Sequence, residues 1–124
     1  MAIEMGVNIV RHPSLDMAGI LQSTHDAATI WVNGPDQPVR QRFTIAHEIG
    51  HLLLHGIGTQ FRDHAFGPSS DWKENQANEF SASLLMPLWL LEPLVIGSRF
   101  TSKELADVFD VSVAATDVQL KKLL

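Results

Sequence analysis

Apolar and polar residues alternate with the two-residue period of strands over the first third of the chain. Ala28-Thr-Ile-Trp-Val-Asn33 is the clearest case: Thr29, Trp31 and Asn33 fall on one face, Ile30 and Val32 on the other. Val7-Asn-Ile-Val-Arg11 and Gly19-Ile-Leu-Gln22 are further β-rich runs, and His12-Pro13-Ser14 punctuates the first. Asn33-Gly34-Pro35-Asp36 is a strong turn signal, and the period changes after it. A helix starting near Gln37 to Val39 suits Pro38, which fits a first turn. Counting about 100° per residue from His47, the apolar Ile45, Ile49, Leu52 and Leu53 span roughly 140–240°. On the same count His47, Glu48, His51 and His55 span roughly 0–100°. Gly56 is a good stop for this helix. Gly50 is costly inside it, which implies close approach of a neighbouring element.

The second half reads as helices. Residues 56–70 form an irregular loop rich in Gly and Ser, and a second helix runs from Asp71 or Trp72 to Met86, where Pro87 stops it. Trp89 to Pro93 makes a further turn. Thr101-Ser-Lys-Glu104 is a capping box opening a short helix with Leu105, Ala106 and Phe109. Asp110 to Ser112 turns the chain into a last helix from Val113 to about Leu123. Trp72 and Trp89 read as core anchors. Trp31 reads as part of an edge strand, where an extended peptide can pair backbone to backbone. The class is α+β, with three antiparallel strands whose order is not readable.

Composition narrows this. The chain has 124 residues, enough for one domain with a real core, here taken as residues 1–124. It has no Cys, so disulfides and thiolate ligands are excluded, and any metal must be held by His and carboxylate. That donor set suits zinc, with manganese or iron as outside options. The net charge is −5, without a basic cluster, so no nucleic-acid footprint is visible. The stretch Thr101–Leu123 has helix-turn-helix rhythm. Its Lys103, Lys121 and Lys122 against Glu104, Asp107, Asp110 and Asp117 leave net −1, a poor phosphate surface. The first residues lack a basic, then apolar, leader pattern, and no run reaches the roughly 18 apolar residues of a membrane span. A soluble, cytoplasmic chain is expected.

The chemistry sits in His47-Glu48-Ile-Gly-His51, an H-E-x-x-H on the polar face of the first helix. Two imidazoles four residues apart point the same way and can share one metal ion. Glu48, about 100° round from His47, lies beside the site, where it can act as general base without ligating. A catalytic zinc takes three protein ligands. Glu74 shares its face of the second helix with Ala77, Asn78, Ser81, Leu84 and Leu85, the face that packs on the first helix. Glu79 points to water. A carboxylate on the packed side needs a partner, and a metal is a good one. The competing reading is that Glu74 only favours the helix N-terminus. Asn78 can bond a ligand imidazole from the same face.

Arg42-Phe-Thr-Ile-Ala-His-Glu-Ile-Gly-His-Leu-Leu-Leu-His55, followed by Glu74-x-x-Ala77-Asn78-x-Phe80-x-Ala82-x-Leu84-Leu-Met-Pro87, resembles the ImmA/IrrE family of gluzincin-like metallopeptidases. The likeness extends over roughly residues 6–123. It implies a zincin-like helical core under the sheet, closed by the C-terminal helix pair. It implies zinc on His47, His51 and Glu74, with Glu48 as the catalytic base. It implies a protein substrate, a helix-turn-helix transcriptional repressor, cleaved to release prophage, mobile-element or stress genes. The family often has Glu where this chain has Gln76, a position the helical count turns away from the metal.

One part of the chemistry stays open. A tetrahedral oxyanion needs a further donor, and the chain has no Tyr. His64, His55, Arg42, Ser81 and backbone N–H groups are candidates; His55 also reads as a cation at the helix end. The alternative function is a zinc-binding toxin-antitoxin or regulatory module that sequesters its partner without cutting it.

Overall fold

The alternation in Ala28–Asn33 is kept in three dimensions, with Ala28, Ile30 and Val32 buried and Thr29, Trp31 and Asn33 half-buried on the other face. The computed structural model describes residues 6–56, 60–63 (backbone only), 71–97 and 99–123. The elements are β1 (Val7–His12), β2 (Gly19–Ser23), β3 (Ala28–Asn33), α1 (Pro38–His55), β4 (Gln60–Asp63), α2 (Trp72–Leu85), α3 (Leu88–Gly97), α4 (Ser102–Phe109) and α5 (Val113–Lys121). The chain divides into two compact units, Met1–Ser81 and Ala82–Leu124, with the boundary inside α2.

The α+β class is as expected, but the sheet corrects two details. Among the described residues it has four strands in the order β1-β3-β2-β4, and β4 lies in the segment expected to be loop. It is mixed rather than antiparallel: β2 pairs antiparallel with β3 and β4, whereas β1 runs parallel to β3, from Val7 opposite Ala28 to His12 opposite Asn33. The cause is the connection between β1 and β2. Residues 13–18 step past the end of β3, leaving β1 on its far side. Three bonds tie that step down: Leu15 N to Asn33 Oδ1 at 3.0 Å, Asn33 N to Ala18 O at 3.3 Å and Gly34 N to His12 O at 2.8 Å. The β3 strand is therefore inside the sheet, and Trp31 is not on an edge. Its indole Nε1 donates to Gln22 Oε1 across the β2 pairing at 3.1 Å.

Helix α1 lies on the buried sheet face. Val7, Leu21, Ala28, Ile30, Val32 and Ile49 form the core, with Ile9, Ile45, Leu52 and Phe80 packed against it. Each fully buried Leu or Ile here contributes roughly 1.5–3 kcal/mol over an exposed one. Leu53, at the rim of the predicted apolar arc, is 53% exposed, because the sheet covers only the centre of that arc. Two contacts set how closely α1 seats. A Cβ at Gly19 would stand 2.5 Å from Thr44 Cγ2, and one at Gly50 would stand 3.0 Å from the Phe80 ring. The close approach inferred from Gly50 is thus the α1–α2 crossing, which Ser81 Oγ also ties by donating to Phe43 O at 3.1 Å.

In the second unit Met86, Leu91, Leu105 and Val111 form a core, and the buried Gln119 donates its Nε2 to Met86 O at 2.9 Å. The capping box on α4 is present at Thr101 and Glu104, and Ser112 caps α5. The turn read at Trp89–Pro93 is a full helix, α3, which holds Pro93 within it. The tryptophans read as core anchors are exposed, Trp72 by 62% and Trp89 by 73%. Trp72 opens α2 at its first turn, and α3 is apolar on more sides than its one buried residue, Leu91, can use. No single helix among the described residues is long and apolar enough to cross a membrane.

Candidate metal centre

Helix α1 runs unbroken through the H-E-x-x-H, so i, i+4 spacing sets the His47 and His51 rings 4.7 Å apart, centroid to centroid, at 83°. His47, Glu48 and His51 are fully buried, and each offers a ligand-type atom within 4.8 Å of the others'. Phe43, one turn earlier, lies at 28° to the His47 ring with centroids 6.4 Å apart. These three polar side chains are buried because the sheet and α2 cover α1, and their burial is costly unless they find partners.

The nearest partner comes from α2. Glu74 Oε2 lies 3.1 Å from His47 Nε2, and Glu74 Oε1 lies 2.8 Å from His51 Nε2. Glu48 Oε1 is farther, 4.0 Å from His47 Nε2. Glu74 is therefore the carboxylate that faces both imidazoles, and Glu48 stands beside them. This is the division of places that helical counting gave to the two residues. Glu79 is exposed. Asn78 is half-buried, one turn beyond Glu74.

Two observations bear on what this cluster can hold. Neither Glu48 carboxylate oxygen has a hydrogen-bond partner among the described residues, although both are buried. Two Nε2 atoms, each within 3.1 Å of an oxygen of one carboxylate, form a donor set that zinc accepts, since Zn–N and Zn–O bonds of about 2.0–2.2 Å bring ligand atoms to about this separation. Burial lowers His51 from 6.5 to about 3, and the neighbouring His47 and His55 push the same way, with Asp71 opposing. A neutral imidazole is the form that binds a metal.

Beyond the cluster, His55 Nδ1 is 2.8 Å from His51 Nδ1, and His55 Nε2 is 2.9 Å from Gln76 Oε1. Gln76 was turned away from the site by the helical count, yet its side chain reaches back to within two hydrogen bonds of it. The count follows Cα–Cβ directions and misses what a long flexible side chain can span. Among the candidate oxyanion donors, Ser81 donates to Phe43 O, Arg42 is exposed on α1, and His64 lies outside the described residues.

Two buried histidines and a buried carboxylate on an H-E-x-x-H helix against a small sheet, faced by a half-buried carboxylate from α2, define the class as a candidate metallopeptidase centre. Comparison with known proteins narrows it. Residues 2–121 match the family model described as the IrrE N-terminal-like domain. The chain is 32% identical over 107 residues to the radiation response metalloprotease IrrE of Deinococcus deserti, an alignment covering 83% of this chain and 37% of that protein. It is 33% identical over 111 residues to metallopeptidase ImmA of Bacillus subtilis, covering 85% of this chain and 63% of ImmA. The chain belongs to the ImmA/IrrE family of metallopeptidases. It spans less than two thirds of the length of either relative.

Proposed function

We propose that this chain is a zinc-dependent endopeptidase domain, with the metal on His47, His51 and Glu74 and with Glu48 as general base. The observation that carries it is the Glu74 carboxylate facing both buried imidazoles at 3.1 and 2.8 Å, with Glu48 buried beside them. Zinc is preferred over manganese or iron because two imidazoles and one carboxylate are a common catalytic zinc set. Zinc held there supplies Lewis-acid chemistry: it acidifies water and polarises the carbonyl of the bond to be cut. Glu48 takes the proton from the attacking water on a carboxylate oxygen and hands it to the leaving amine. Its burial keeps bulk water from competing for that oxygen, and the rigid α1 backbone fixes its distance from His47.

The resemblance of the two helical motifs to the family supports a substrate class, a helix-turn-helix transcriptional repressor. A repressor substrate would place the activity in the cytoplasm and make its outcome derepression of the repressor's genes. The domain acts on protein and makes no direct contact with nucleic acid, in keeping with its net charge of −5.

The test separates chemistry from binding. Glu48→Gln keeps size and hydrogen bonding but takes no proton. Beside wild type, with a candidate repressor and a reporter, it should retain zinc and partner binding and lose cleavage by ~10²–10⁴-fold. Equal relief of repression by both proteins, with the repressor at full length, would replace the protease reading by the sequestering module.

A further inference from the structure

The contacts from His51 to Gln76 have a direction. Gln76 Oε1 is an amide oxygen and only accepts, so its 2.9 Å contact takes the proton from His55 Nε2. A neutral imidazole carries one N–H, so His55 Nδ1 is then an acceptor. The 2.8 Å contact between the two Nδ1 atoms therefore takes its proton from His51. His51 is left with its lone pair on Nε2, the atom that lies 2.8 Å from Glu74 Oε1. The lone pair thus points to where Glu74 and His47 converge. The Trp72 ring meets His55 edge-on at 90°, with centroids 5.8 Å apart, and limits rotation of the imidazole.

We infer that His55 and Gln76 are positioning residues: a one-way hydrogen-bond chain from Gln76 through His55 holds His51 as the Nδ1–H tautomer, with its Nε2 presented to the metal. This rests on the reading of His47, His51 and Glu74 as a metal centre. It gives His55 a role other than helix-end cation or oxyanion donor, because both its nitrogens are engaged. A metal-ligating histidine whose other nitrogen donates to a fixed acceptor is held in tautomer and orientation, and such partners typically set 10–100-fold in metal affinity.

Two readouts test it on the full chain. Long-range ¹H–¹⁵N spectra of chelator-stripped protein at neutral pH, assigned with single-histidine variants, distinguish protonated from bare ring nitrogens. Wild type should show His51 Nδ1–H and His55 Nε2–H. The exposed Gln76→Leu, chosen because it disturbs no packing, should give mixed tautomers at both rings. Gln76→Glu, also acceptor-only, should keep the wild-type pattern. Zinc competition against a chromophoric chelator is the second readout. His55→Phe should weaken binding by ~10–100-fold and Gln76→Leu by less, with Gln76→Glu within a few-fold of wild type. Wild-type His51 found as Nε2–H, or Gln76→Glu weakening zinc as much as Gln76→Leu, overturns the chain of bonds. Zinc uptake by wild type with the wrong tautomer would sink this inference and leave the metal centre standing. No zinc uptake, with His51 Nδ1–H present, would sink the metal centre and leave the hydrogen-bond chain standing.

Discussion

His51 couples the metal-free protein to pH. Its folded value of about 3 lies below the ordinary 6.5. Between those limits the unfolded chain binds a proton that the folded one does not, so stability rises with pH across the window. The contribution is intact above about 6.5 and is lost as pH falls toward about 3. Urea midpoints of chelator-stripped protein should therefore drop between neutral pH and pH ~5, and drop less in His51→Gln. Equal slopes in the two proteins would mean that His51 keeps its ordinary value in the folded chain. Glu74 itself carries a second prediction. Glu74→Ala should remove most bound zinc by elemental analysis, and the exposed Glu79→Ala should leave it in place; the reverse would show the ligand assignment wrong. At this scale the site was largely legible. The i, i+4 histidines and the phase of Glu74 follow from helix geometry alone, whereas the Gln76–His55–His51 contacts depend on side-chain torsions that no helical count carries.

Elements seat against one another through particular small residues, and these give contrasting predictions. Gly19 begins β2 directly beneath α1, and a Cβ there would meet the buried Thr44 methyl at 2.5 Å and Glu48 Cγ at 3.6 Å. Thr44 is β-branched and fixed by its helix, so it cannot swing away. Gly19→Ala should cost about 1–3 kcal/mol by denaturant unfolding, because the Thr44 clash must be relieved, while the Glu48 distance is an ordinary contact. Gly50→Ala meets only the half-buried Phe80 ring, at 3.0–3.2 Å, and gains helix propensity of about 1 kcal/mol. Its net effect should be smaller than that of Gly19→Ala; a larger loss would mean the α1–α2 crossing is the tighter joint. Thr101→Ala removes the capping box of α4 and should cost about 1 kcal/mol. The caps, α1 and α2 were readable because their signals lie within a few residues. Helix α3 runs further than the expected turn because Pro93, which looks like a stop, is held inside it. Its side chain is exposed, so the helix gives up one backbone bond there without a core clash.

Over the whole molecule the sequence separated helices from strands well and strand order poorly. Alternation places Ile30 and Val32 inward, but it does not say which strand lies on each side of β3, nor in which direction. That depends on where residues 13–18 carry the chain, and the bonds of Leu15 and Ala18 to Asn33 are tertiary. Trp72 and Trp89 depart from the expected burial for a related reason. Hydrophobicity gives a tendency to be buried, while actual burial depends on what packs over the residue, and both lie on exposed helix faces. The β4 strand was hidden by its Gly- and Ser-rich neighbours, which made the whole segment read as loop.

The parallel placement of β1 has a consequence in time. The β2–β3 pair closes over a short turn, with Ser23 opposite Ala28, and needs little loop-closure entropy. The β1 strand must find a partner from Val7 to Ala28 and can do so only once residues 13–18 have settled over the end of β3. Among the described residues it is also the outer strand on that side, bonded along one edge only. Amide exchange should therefore be graded: the β1 hydrogens facing β3 should exchange ahead of the β3 hydrogens facing β2. Opening would start at this strand and leave the hairpin and α1 for the global event. Matching exchange rates across both pairings would show instead that β1 is locked in with the rest and that the unit opens in a single step.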